Sequence, residues 1–269
     1  VAGLFLLASP GYLITLDFVN QSTAADPPIP PASRVSMFAA TRWSLVLAAK
    51  GETPAAQDAL SGLCQLYWYP LYSYVRRRGH SPEDAKDLTQ EFFARCLAGR
   101  WIERAHQEKG RFRSFLLGVM NHFLADEWDK LRAQKRGGGA RDLPLDFDTA
   151  ETRFVHEPAD NSTPEQIYER RWALTLLAGV LDQLGEEFKR EGRGELFALL
   201  NPCLVGDGQT PPYAGLAKQL GVSEGTVKSA VHRMRQRYKG LVREAIAHTV
   251  AEPGEIEDEL RHLFMVLAR

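Results

Sequence analysis

The sequence predicts an all-α protein: two small helical domains joined by a flexible acidic linker, the second domain containing a helix-turn-helix. Two observations lead there. Apolar residues recur at spacings of 3 and 4 through most of the chain, and no segment sustains the alternation of a strand. The 269 residues, 44% hydrophobic and 25% charged, suit two compact units with ordinary soluble cores.

The N-terminal region, residues 1–36, is expected to be a disordered or spurious extension. Val1 to Leu16 is apolar, but Pro10 and Gly11 interrupt it well short of the ~20 residues of a membrane span. No Lys or Arg precedes Arg34, so the positive flank of a secretory signal is missing. The first Met is Met37, after a Pro-rich run, and translation is expected to start there. No membrane insertion and a cytoplasmic location follow as expectations. The three cysteines, Cys64, Cys96 and Cys203, match neither a metal spacing nor a disulfide framework.

Residues 37–136 form the first predicted domain. Leu63, Leu66, Tyr67, Leu71, Tyr74 and Val75 mark one helix face, with Pro70 a kink. Ser81-Pro82-Glu83-Asp84 opens a second helix: Ser caps, Pro takes the first helical position, and the carboxylates face the positive end of the dipole. Its buried face is read as Ala85, Leu88, Phe92, Cys96 and Leu97, which leaves Asp84, Asp87, Gln90 and Glu91 outside. A third helix runs from Arg111 to about Arg136, with Phe112, Phe115, Leu116, Val119, Phe123 and Leu124 inward. Trp128 lies on its opposite, basic side, where an aromatic ring serves either a neighbouring helix or an unpaired base.

Charge is unevenly spread although the net charge is only -1. Arg100–Arg136 holds nine basic and five acidic residues, and Tyr213–Arg243 seven basic and one acidic. Between them, Gly137–Glu165 has two Arg and seven acids. Two cationic islands joined by an anionic bridge fit two contacts with one polyanion. Residues 137–162, with Pro144, Pro158 and no apolar period, read as the linker.

The second domain, 163–248, opens on the capping box Thr163-Pro164-Glu165-Gln166. Within it, Leu216 to Lys228 spells a short helix, a Gly turn at Gly221, and a second helix capped by Ser223. In a major groove, that helix would turn Ser223, Glu224, Gly225, Thr226, Lys228, Ser229 and His232 toward bases. Arg233, Arg235 and Arg237 would reach phosphates, and Val227, Ala230, Val231 and Met234 would face inward. Residues 249–269 are predicted as an acidic amphipathic helix, through Ile256, Leu260, Leu263, Phe264 and Leu267, either folding back on the preceding domain or serving a regulator.

Trp43 to Ala247 resembles bacterial RNA polymerase sigma factors of the extracytoplasmic-function (ECF) type, in the sigma-70 superfamily. Asp84 to Phe93 (Asp-Ala-Lys-Asp-Leu-Thr-Gln-Glu-Phe-Phe) is similar to the helix that grips the polymerase β′ clamp helices. The resemblance makes Asp84, Asp87, Gln90 and Glu91 candidate contacts to RNA polymerase core. Phe112 to Arg136 resembles the helix that melts the start-proximal promoter element, implicating Arg111, Arg113, Asn121, His122, Trp128 and Arg132; Asn121-His122 stands where the family commonly has Arg-Asn. Leu216 to Arg237 resembles the reader of the upstream element. Promoter DNA and polymerase core are thus the implied partners, with an anti-sigma factor or other regulator a further candidate. No catalytic residue, metal or cofactor is implied.

Two other function classes compete. A conventional helix-turn-helix regulator of duplex DNA would explain 213–243 but leave the acidic face of Asp87, Gln90 and Glu91 without a role. An enzyme would need a phosphate loop, a metal spacing or a nucleophile turn, and the sequence has none.

Overall fold

A computed structural model of the chain describes residues 4–9, 12–16, 43–50, 53–98, 101–106, 110–133, 151, 154, 162–204, 211–250 and 252–268. These are almost entirely helical: α1 (Trp43–Ala48), α2 (Pro54–Arg77), α3 (Pro82–Ala98), α4 (Phe112–Ala133), α5 (Pro164–Arg190), α6 (Gly194–Leu200), α7 (Tyr213–Leu220), α8 (Glu224–Ala247) and α9 (Ile256–Leu267). Single 3-10 turns lie at Ile102–Arg104, Asn201–Cys203 and Pro253–Glu255. Most of the predicted linker lies outside the described residues, as do 17–42.

One element departs from the helical expectation. β1 (Leu4–Ser9) and β2 (Tyr12–Leu16) pair antiparallel, Leu4 opposite Leu16 and Ser9 opposite Tyr12, with a bulge between Leu7 and Ser9. The two apolar runs flank Pro10-Gly11, which punctuates the sequence as a turn signal, and the pairing gives their backbone groups partners. β1 lies beside α5.

Helix starts follow the capping chemistry. Thr53 Oγ1 accepts from the Ala56 N–H at 3.1 Å, and Ser81 Oγ accepts from the Asp84 N–H at 3.1 Å. At α5 the box is reciprocal: the Gln166 N–H donates to Thr163 Oγ1 at 3.3 Å, while Gln166 Oε1 accepts from the Thr163 N–H at 2.8 Å. α2 continues through Pro70 without ending.

The apolar faces meet in a core that runs through both halves of the chain. α5 lies along α2 and also packs on α8, so the helix that opens the second module is at the same time a wall of the first. Leu177, fully buried on α5, illustrates the sharing, since its carbonyl accepts from the buried Tyr238 hydroxyl of α8 at 3.2 Å. Gly185 lets α6 close on α5: a Cβ there would stand 3.0 Å from Phe197 Cε1. The C-terminal helix α9 folds back onto α5 and α8, burying Leu260, Leu263, Val266 and Leu267.

The one described stretch of the linker returns to the first module. Glu151 Oε1 takes Arg76 Nη2 at 2.8 Å, Glu151 also accepts from the Tyr72 hydroxyl, and Arg76 lies over the Phe154 ring at 4.7 Å. The Arg76 hydrogen bond holds the Glu151 carboxyl below its ordinary value of 4.5, outweighing burial.

Two outcomes are expected. Leu177→Ala removes contacts on both sides of the shared core and should cost about 2–5 kcal/mol, read as a lowered urea midpoint of a single transition. A carboxyl whose folded pKa is depressed contributes stability above its unfolded value and loses it as pH falls through the folded one. The difference in thermal stability between wild type and Glu151→Gln should therefore be present at neutral pH and vanish in acid below 4.5.

Candidate nucleic-acid and polymerase interface

The helix-turn-helix is built by its turn. α7 ends on Gly221 at φ +66°, a left-handed backbone that glycine adopts without penalty, and the Gly221 and Val222 N–H groups both return to the Ala217 carbonyl. Ser223 then caps α8, its Oγ accepting from the Thr226 N–H at 3.1 Å. Val227, Val231 and Met234 are buried beneath α8, with Ala230 half-buried, in keeping with the inward face read from sequence.

Opposite that face, Ser223, Glu224, Gly225, Thr226, Lys228, Ser229, His232 and Arg233 are exposed. Tyr213, Lys228, Ser229, His232, Arg233 and Arg235 border an open groove of about 570 Å³. Lys228 Nζ pairs with Glu224 Oε1 at 2.9 Å, an exposed one-turn pair worth little and readily exchanged for another anion.

Two of the expected phosphate-reaching arginines are turned to the protein instead. Arg235 Nη2 donates to the Cys203 carbonyl at 2.8 Å. Arg237 grips Glu187 with two bonds of 2.8 and 2.7 Å and reaches Glu244 at 3.2 Å. The Glu187 bonds come first in holding the Arg237 guanidinium more basic than usual. Spacing alone does not separate these side chains from Arg233, because their carboxylate and carbonyl partners lie 7 to 50 residues away.

On α3 the acidic face is partly as expected. Asp84 and Asp87 are exposed, Asp84 accepting from the Ser81 hydroxyl at 2.7 Å, and Glu91 takes Arg95 Nε at 2.7 Å. Gln90 is a correction: it is 4% exposed, not part of the outer face. The buried side of α3 is Ala85, Thr89, Phe92 and Phe93, rotated from the stripe expected through Leu88, and Gln90 lies inside its edge. Thr89 fits there because its hydroxyl donates to the Ala85 carbonyl at 2.7 Å.

On α4, Trp128 is 57% exposed and His122 is exposed. Asn121 is half-buried, its Oδ1 accepting from the Tyr74 hydroxyl at 2.5 Å and from Arg78 Nη1 at 2.8 Å. Arg78, exposed beside Asn121, was not among the expected site residues; its signal is the Arg76-Arg77-Arg78 run closing α2. The Arg132 side chain lies outside those described.

Arg113 is the second correction. Expected to face DNA, it is 2% exposed, with Nε on Glu169 Oε2 at 2.8 Å, Nη1 on Glu259, and its guanidinium over the Trp172 ring at 4.1 Å. Burial would lower its basicity; the Glu169 and Glu259 carboxylates reverse that. Burial likewise pushes the Glu169 carboxyl up, but His262, at 3.1 Å, and Arg113 outweigh it and hold it below the ordinary value. Arg111 is half-exposed, with Nη2 on Glu259 Oε2 at 2.7 Å.

No group of three metal-ligating side chains and no helix able to cross a membrane occurs among the described residues. Cys64 and Cys203 are buried, and burial pushes the Cys64 thiol up to about 12.

Residues 66–135, spanning most of α2 through α4, match the family model for sigma-70 region 2. The chain is 28% identical over 186 residues to the ECF RNA polymerase sigma factor SigE of Mycolicibacterium smegmatis, covering 69% of this chain but 62% of SigE. It is 25% identical to the RNA polymerase sigma factor YlaC of Bacillus subtilis, over 68% of this chain and 91% of YlaC. It is 29% identical to the ECF RNA polymerase sigma factor ShbA of Streptomyces griseus, over 72% of this chain and 91% of ShbA. No solved structure matches the chain. The chain is thus similar to sigma-70 region 2 over residues 66–135, and to these sigma factors, two of them of the ECF type, over about two-thirds of its length.

Proposed function

We propose that the protein is a promoter-specificity factor: it binds RNA polymerase core, directs it to promoter DNA through two helical modules, and helps open the duplex. The observation that carries this reading is the exposed face of α8, where a capped helix presents Lys228, Ser229, His232 and Arg233 beside an open groove, on a chain that also carries region 2.

The division of labour follows from chemistry. Lys228 and Arg233 attract the duplex through its phosphates, which sets register; Ser223, Glu224, Ser229 and His232 are placed to touch base edges. On α4, Trp128 offers an aromatic face to a base that has left the stack, worth about 1–3 kcal/mol, and His122 is exposed on the same helix. Asp84 and Asp87 give α3 an anionic face for a cationic surface on the polymerase clamp, and the pair Glu91–Arg95 edges it. The protein contributes no reacting group; polymerase carries out the bond-forming step.

Several outcomes test this with purified core polymerase. Arg233→Ala should weaken upstream-element binding and flatten the plot of log affinity against log salt by about 0.9 for one lost phosphate contact. Trp128→Ala should slow duplex opening, followed by permanganate reactivity of unpaired thymines, while leaving closed-complex formation near wild type; equal loss at both steps would make Trp128 a packing residue. Asp87→Arg should abolish co-elution with core. Retained co-elution, with duplex DNA binding intact, would instead favour a regulator that acts without docking on polymerase.

A further inference from the structure

We propose that α9 is an internal latch: Glu259, seated on Arg113 and Arg111, holds the two modules in a closed arrangement that must be released when the protein engages its partners. This rests on the reading above, in which core polymerase and promoter are those partners.

Polar contacts bridge the modules alongside the apolar core that they share. The Tyr74 hydroxyl of α2 lies 3.3 Å from Glu165 Oε1 of α5, and the Tyr168 hydroxyl of α5 donates to the Arg113 carbonyl of α4 at 3.0 Å. Arg113 meets Glu169, and Arg171 lies 5.7 Å from the centre of the Tyr69 ring.

Glu259 stands out within it. It is 0% exposed; Oε1 accepts from Arg113, while Oε2 stands 2.7 Å from Arg111 Nη2 as an ion pair without a hydrogen bond. A buried ion pair of this kind is a poor source of net stability, since apolar residues of similar volume would hold α9 as well. It is instead a device of registry: without Glu259, Arg113 keeps Glu169, whereas without Arg113 the buried Glu259 keeps Arg111 alone.

The latch also takes up cations from both modules. Glu259 occupies Arg111 on the approach to α4, and Glu257 occupies Arg243 on α8. The anionic helix thereby competes internally for charges that a polyanion would draw on, and opening returns them. Apparent affinity for partners then falls by the fraction of molecules that are closed.

Hydrogen exchange on the full chain tests this, alone and with polymerase core. The amides of 256–267 should exchange markedly faster in the complex than in the free protein, and full-length Glu259→Gln should gain roughly tenfold in apparent affinity for core. If the variant does not fold, exchange on the wild type decides. A complex that forms with 256–267 still fully protected would overturn the latch and make α9 a permanent brace. Absence of any complex with core would overturn the sigma-factor reading beneath it, and the latch with it.

Discussion

The guanidinium of Arg113 organises the molecule. A buried cation has to be met by anions and polarisable surface, and here two helices besides its own supply them. Glu169 and Trp172 come from α5, Glu259 comes from α9, and the charge itself from α4. The bonds of one side chain therefore join three helices, with partners up to 146 residues apart in sequence. α5 lies between α2 and α8 as a consequence, and the apolar faces close around it.

Much of the local structure was legible before any fold was seen. The capping signals at Ser81, Thr163 and Ser223, the left-handed Gly221, and the inward triplet Val227, Val231 and Met234 each depend on neighbours within about one turn. What escaped depends on distant chain. Gln90 differs from Asp87 only in where the surrounding helices lie, and Arg235 and Arg237 differ from Arg233 only in having Cys203 and Glu187 within reach. Arg113 reads as a surface cation until Glu259 is brought to it.

The hairpin of β1 and β2 escaped for a different reason. Its segments are short and apolar throughout, so neither shows the polar alternation that marks a half-exposed strand; their pairing, not their period, makes them a sheet. Acidic residues in the linker read as a solvated spacer, yet Glu151 has a specific seat on Arg76 and Tyr72, a contact that composition does not announce.

α8 has a property that follows from its length. At 24 residues it extends about 36 Å; Ser229, His232 and Arg233 are exposed near its start, while Tyr238, Leu241 and Val242 farther along are buried. It is a rod held along one side, by α7 as well as by α5 and α9, so a change in its far hold tilts its start. Tyr238 lies about 15 Å along the axis from Lys228, far beyond any nucleotide contact of its own. On the proposed promoter-reading role, substitutions at residues that never touch DNA retune which bases the start of α8 meets.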